Sequence, residues 1–362
     1  MPNSKLLLSR RKMLKVAAAG GLVSSGVLAT PALTQSRTIK IGSYGGFFED
    51  NFRQHIYPAF TEETGIAVES ITQPDSSGWL LTTQQAIQAG VLPADLSLHV
   101  PTNVIKGDRM GEVFDPIDPT RIPNIGNVQG GFFNEMPGGL YGVGAFSYYT
   151  SLVMNTDEEE APESWTELWD VDRFQASLGL PTEAASPLLD IVAVSFFGGP
   201  DILQTREGIQ TVIDKVAEMR PNISLWYSST SQMEQSLKNN DVIGGMLYHD
   251  VVGLLALDGM PLASIFPKEG NPVDFNSWTL SAGTQKREEA HEFINFCCLP
   301  ETQALLARTI GVAPVVNPAT TDLTEEEFHA VAGTPSFPMS YDVLLDNETF
   351  IEEAMTKMRA AG

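Results

Sequence analysis

The stretch LYGVGAFSYYTSLVMN, residues 140–155, is a long apolar and aromatic run that reads as extended chain. It falls between two regions in which strand-like and helix-like patterns alternate, and it is the segment expected to carry the chain from one α/β half to the other. A second extended run, VDFNSWTLSAG at residues 273–283, comes after the second half. The chain is therefore expected to cross between two lobes more than once, with the crossing segments acting as hinges.

Outward from residue 140 toward the amino terminus, TIKIGSYGG (38–46) alternates and ends in a Gly-Gly turn. The run FEDNFRQHIYPAFTEETG (48–65) follows as a helix stopped at Gly65. IAVESITQ (66–73) reads as a second strand, LLTTQQAIQAG (80–90) as a helix and ADLSLHVP (94–101) as a third strand. Beyond residue 155 the alternation resumes through 176–199, 206–221, 223–229 and 231–241. It reaches VIGGMLYHD at 242–250, where an apolar strand breaks at Tyr248-His249-Asp250 before an apolar helix. Two α/β lobes on mostly parallel sheets are the expected fold class. Strand alternation turns Tyr248 and Asp250 to one side and His249 to the other.

The first 32 residues combine a basic segment, SRRKMLK, with a Gly/Ala/Ser-rich apolar stretch and end in Thr30-Pro31-Ala32. This is the pattern of an export signal, and Arg10-Arg11 resembles the twin-arginine motif with Met13 in place of the usual Phe. A periplasmic, soluble protein is expected. These 32 residues hold five Lys/Arg and no Asp/Glu, leaving 17 basic against 45 acidic residues in the remainder. Nucleic acid and anionic membranes are poor partners for such a chain, whereas a cationic ligand is drawn to it. The cysteines, Cys297 and Cys298, are adjacent in a helical pattern and read as buried free thiols. Neither CxxC nor His at ligand spacing is present, so no zinc site is expected.

The order of FTEETGIAV (60–68), ADLSLHVPTNVIKGDRMGEV (94–113), PESWTELWD (162–170), IFPKEGNPVDF (265–275) and REEAHEFINFCCLPETQALLARTIGVAP (287–314) resembles the family 1 extracellular solute-binding proteins of ABC importers. The likeness is greatest to the spermidine/putrescine-binding branch. It implies the two-lobed periplasmic-binding fold of type II, with the ligand between the lobes. Lobe one would hold 36–144 and 251–282, and lobe two 145–250 and 283–362. It further implies a monomer without cofactor that delivers a polyamine, a diamine or a related amine to a membrane permease. Asp250 and Tyr248 match the family's acid and aromatic after the crossover strand. Tyr44 and Phe47 match first-strand aromatics, Thr102 a hydroxyl after the third strand. Of an acidic pair in lobe two, Glu183 keeps one member and Ser186 replaces the other. Tyr227 and Trp278 are further candidate walls, with Trp226 and Ser228 beside Tyr227. Such residues suit an amine: carboxylates pair with ammonium groups and aromatic faces take both methylenes and charge.

Two rival classes are weighed against this. A hydrolase needs a nucleophile motif at a strand-to-helix junction, and no G-x-S-x-G, H-E-x-x-H or phosphate loop occurs, so no catalytic residue is expected. A ferric-ion binder of the same fold needs converging tyrosinates. Tyr148-Tyr149 invites that reading, but neighbours on a strand diverge, and no metal site is expected.

Overall fold

The computed structural model describes residues 37–74, 76–182 and 186–361. The leader, with Arg10 and Arg11, lies outside them, and so does Glu183. Among the described residues the strands are β1 (Thr38–Tyr44), β2 (Ala67–Gln73), β3 (Leu96–His99), β4 (Phe114–Asp115), β5 (Phe133–Met136) and β6 (Gly139–Asn155). They continue as β7 (Leu178–Pro181), β8 (Ile223–Tyr227), β9 (Gly244–Tyr248), β10 (Leu262–Ile265), β11 (Asn271–Ser281) and β12 (Ser336–Pro338).

Their spatial order along the main path is β2-β1-β3-β11-β6-β9-β7-β8. The flanks are parallel: β1 runs with β2 and β3, and β7 with β8 and β9. Along that path the two long crossing strands are antiparallel to their neighbours and to each other, with Asp274 opposite Tyr148 and Asn276 opposite Phe146. The run 140–155 is thus the shared seam, contributing its first half to one flank and its second half to the other.

Two large cores sit on the two flanks. The first gathers Ile39, Ile41, Phe52, Phe60, Leu96, Phe146, Trp278 and Phe293, and the second Leu152, Trp165, Leu178, Ile191, Ile213 and Met355. A smaller cluster joins Val153, Met233, Leu247, Val252 and Leu255. Local chemistry stops the helices where the site needs them. The helix Tyr57–Thr64 ends at Gly65 in a left-handed conformation (φ 71°) that costs glycine nothing. Gly245 (φ 138°) lets β9 lie against β7: a Cβ there would meet the Gly179 carbonyl oxygen at 2.0 Å.

The packing redistributes the expected lobe boundaries. Residues 251–257 and 262, expected in lobe one, pack with the cluster around Val153 and Leu247. In the reverse direction the helix Arg287–Cys297 and the helix Pro300–Ile310, expected in lobe two, return to the first core through Phe293, Ile294, Cys297 and Leu306. The cause is apolar periodicity: Ala290, Phe293, Ile294 and Cys297 form one stripe that the first core covers. Phe60 meets Phe293 edge to face at 5.0 Å. Trp278, expected in the cleft, is fully buried between Phe52 (5.8 Å) and Phe293 (5.0 Å). By that point β11 has left the crossing and entered the middle of the first flank beside Leu98, where helices cover it. Cys297 and Cys298 are buried free thiols, and burial pushes both well above the ordinary thiol range.

Candidate functional site

Paired residues in an antiparallel ladder share a face, and so do residues two apart on a strand. The register therefore sets Phe146, Tyr148 and Thr150 of β6, Asp274 and Asn276 of β11, and Tyr248 of β9 on one face of the seam. Tyr44, at the carboxyl end of β1, donates its hydroxyl to Asn276 Oδ1 at 2.7 Å and joins that face from the first flank. The Tyr148 and Tyr248 rings meet edge to face at 5.5 Å. A band of three tyrosines thus runs across the seam from one flank to the other.

Asp274 lies inside this band. Its carboxylate accepts hydrogen bonds from Tyr148 (2.8 Å) and from Tyr341 (2.5 Å), and the Phe275 amide donates a third at 2.7 Å. Burial pushes the Asp274 carboxyl above its ordinary range against the pull of those three donors. Burial and the adjacent carboxylate raise the Tyr148 and Tyr341 hydroxyls well above theirs, which keeps them neutral donors.

At the second-flank end of the band is a cavity of about 110 Å³ lined by Thr150, Ser186, Tyr227, Ser228, Thr230 and Tyr248 among others. It sits at the carboxyl ends of β7, β8 and β9, the place where open α/β sheets hold ligands. Tyr227 donates its hydroxyl to the Met246 carbonyl at 2.9 Å, which fixes the ring as a wall.

Asp250 opens on a different space. It stands in the first turn of the helix His249–Leu257, on a groove of about 680 Å³ lined by Leu254, Leu257, Ile310, Arg308 and Val331. One wall packs with the cluster around Val153, the other with the first core through Leu306 and Ile310. Asp250 Oδ1 is buried and has no hydrogen-bond partner among the described residues. Burial pushes this carboxyl up, partly offset by the amides of Val251 and of Asp250 itself. Arg308 supplies it no counter-charge, being engaged by Glu327 at 2.7 Å and Asp322 at 2.9 Å.

The structure thus brings together Tyr44, Tyr248, Tyr227 and Ser186 with the band and its cavity, and sets Asp250 on the adjoining groove. Phe47 is 58% exposed at the head of its helix, edge-on to Phe48 at 6.5 Å. Thr102 is half-buried as the second residue of the helix Pro101–Met110 and lines neither space. Trp226 is a core wall beneath Arg359. His249 bonds Ser264 and the His329 carbonyl, at 2.7 and 3.1 Å, and packs on Phe266. Tyr149 packs on that same Phe266, so Tyr148 and Tyr149 diverge. Sequence reasoning missed Thr150, Asp274 and Asn276. The two-residue period along both crossing strands is the signal that groups them. Tyr341, 67 residues from Asp274, leaves no such signal.

A family model described as bacterial extracellular solute-binding protein matches residues 56–331. The gamma-aminobutyric acid-binding protein of Pseudomonas aeruginosa is 25% identical over 293 residues, 79% of this chain and 79% of its own length. The spermidine/putrescine-binding periplasmic protein of Escherichia coli is 23% identical over 286 residues, covering 76% and 79%. Among solved structures, an ABC transporter substrate-binding protein from Bradyrhizobium japonicum superposes with a TM-score of 0.76 at 21% identity, over 89% of this chain and 99% of that one.

Proposed function

Because the chain belongs to the bacterial extracellular solute-binding proteins, we propose that it is the binding component of an ABC importer and captures a small amine-bearing cation between its two lobes. One observation carries the ligand charge. A buried carboxylate oxygen, Asp250 Oδ1, stands on a groove between two cores, and among the described residues it has neither a hydrogen-bond partner nor an answering cation. An ammonium group would supply the missing donor and the missing charge at once. On the adjoining tyrosine band, the Tyr148 and Tyr248 rings, edge to face at 5.5 Å, suit the methylenes of an alkyl amine and its charge.

The mechanism is capture without chemistry. The ligand touches residues of both flanks, β6 and β11 flex as the seam, and the closed form docks on a membrane permease. Residues 1–32 direct export, so capture takes place outside the cytoplasm. A closed state is favoured only by contacts from both sides, which Tyr44 on the first flank and Tyr248 on the second provide.

The test is calorimetry and thermal unfolding of the exported chain with putrescine, spermidine, gamma-aminobutyric acid, succinate and ferric ion. An amine at 100 times its dissociation constant stabilises the chain by about 2.7 kcal/mol. Stabilisation by succinate or ferric ion alone would defeat the proposal.

A further inference from the structure

The 110 Å³ cavity carries a second specificity, which rests on the amine reading and sharpens it. Thr150 and Ser186 line it, are 92% and 95% buried, and have no hydrogen-bond partner among the described residues. Both hydroxyls belong to residues that meet a space rather than an acceptor. The third contributor is the amino end of the helix Thr230–Lys238, whose first residue lines the same cavity. Ser229 caps this helix by accepting from the Gln232 amide, which leaves the Thr230 amide with no partner among the described residues. Free amides at a helix start, with the positive end of its dipole, favour a negative group. The first turn carries no acidic residue.

The hydroxyls of two nearly buried residues can donate or accept, but the amides of the helix start beside them can only donate, and together they favour an acceptor anion. A cavity of about 110 Å³ has room for a carboxylate group. Among the described residues the lining has no Lys or Arg, so recognition is by hydrogen bonds and dipole.

We propose that this cavity holds the carboxylate of the ligand, and that the protein therefore selects a short ω-amino acid over a diamine of the same length. The ammonium end then meets the ring of Tyr248, which lines the same cavity, and that of Tyr148 beside it.

The test measures affinity of the full exported chain for three probes by calorimetry. These are gamma-aminobutyric acid, putrescine, which carries an ammonium group where the first has its carboxylate, and n-butylamine, which has neither. The acid should bind at least about tenfold tighter than either amine. Thr150→Val and Ser186→Ala should each cut the preference for the acid over n-butylamine about fivefold or more, while Thr150→Ser, which keeps the hydroxyl, restores it. Thermal unfolding of each variant checks that it folds. Putrescine binding as tightly as the acid, or an unchanged preference in folded Thr150→Val and Ser186→Ala, overturns the inference while leaving the amine reading intact. Failure of all three probes to bind overturns this inference, and if spermidine also fails in the same measurement the amine reading falls with it.

Discussion

Asp274 and Asp250 are both buried carboxylates near the seam, both pushed up by burial, yet their surroundings differ in kind. Asp274 is supplied by two tyrosine hydroxyls and an amide. Asp250 leaves one oxygen without a partner among the described residues, on the wall of an open groove. A buried acid whose lone pairs are filled from within fastens the fold, because its donors come from β6, β11 and the helix Tyr341–Asp346 together. One left short is destabilising for the empty protein and has its partner elsewhere. On the function proposed above, the distinction separates a residue that fastens the seam from one that meets the ligand, and mutation can break it.

The largest effect is expected at Asp274. Asp274→Ala removes the shared acceptor and strands two buried hydroxyls, a loss of about 3 kcal/mol at roughly 1 to 3 kcal/mol per unsatisfied group. Asp274→Asn, which keeps one acceptor oxygen, should lose less. Urea unfolding of the ligand-free chain measures both, and wild-type stability in Asp274→Ala would erase the contrast with Asp250.

Asp190 provides a third buried acid against which to sharpen the comparison. Its carboxyl, bonded by the Ser340 hydroxyl at 2.6 Å and the Ser340 amide, is raised by burial to about 6 from an ordinary 3.8. A folded value above the unfolded one means that the folded state binds the extra proton. The stability from Asp190 is therefore fully present below about pH 4 and is lost as pH rises to about 6. Asp190→Asn should flatten that fall by on the order of 2 kcal/mol between pH 4 and pH 7. Parallel profiles of wild type and variant in urea unfolding would show that Asp190 does not titrate in this window.

Asp250→Asn is the matching probe of the unfilled acid. Losing the charge should weaken amine binding at least tenfold, about 1.4 kcal/mol, while the ligand-free chain keeps or gains stability because an uncompensated carboxylate is gone. The opposite result, intact affinity with a less stable chain, makes Asp250 a helix-capping residue.

Much of this arrangement was legible in the sequence. Alternating strands and helices and the long run at 140–155 gave two α/β halves with a crossing segment, since both signals are local periodicities. Tyr44 and Tyr248 were named from the resemblance and Tyr227 from its place at a strand end, and the structure sets all three on the tyrosine band or its cavity. Trp278 was misplaced: nothing in VDFNSWTLSAG tells where along β11 the helices begin to cover the strand. The return of residues 287–310 to the first core was equally hidden, because an apolar stripe shows that a helix is buried and not which core buries it. Tyr341 reaches Asp274 only through the packing of the last helices, and no short-range pattern encodes that.

The smallest effect probes the first-flank end of the band, where Tyr44 bonds Asn276. Both residues belong to the first core's side of the seam, so this hydrogen bond orients the ring and does not itself bridge to the second flank. Tyr44→Phe keeps the ring and its edge-on contact with Phe48, 6.0 Å away, and removes one hydroxyl from a partly accessible site. A hydrogen bond of that type contributes about 0.5 to 1.5 kcal/mol. The expected cost is a two- to tenfold loss of amine affinity with little change in unfolding of the ligand-free chain. Tyr44→Ala should lose more affinity than Tyr44→Phe, because it also removes the aromatic face. Equal affinities for Tyr44→Phe, Tyr44→Ala and wild type would mean that the ligand contacts the second flank alone, and the case for a cleft closed from both sides would then rest on residues other than Tyr44.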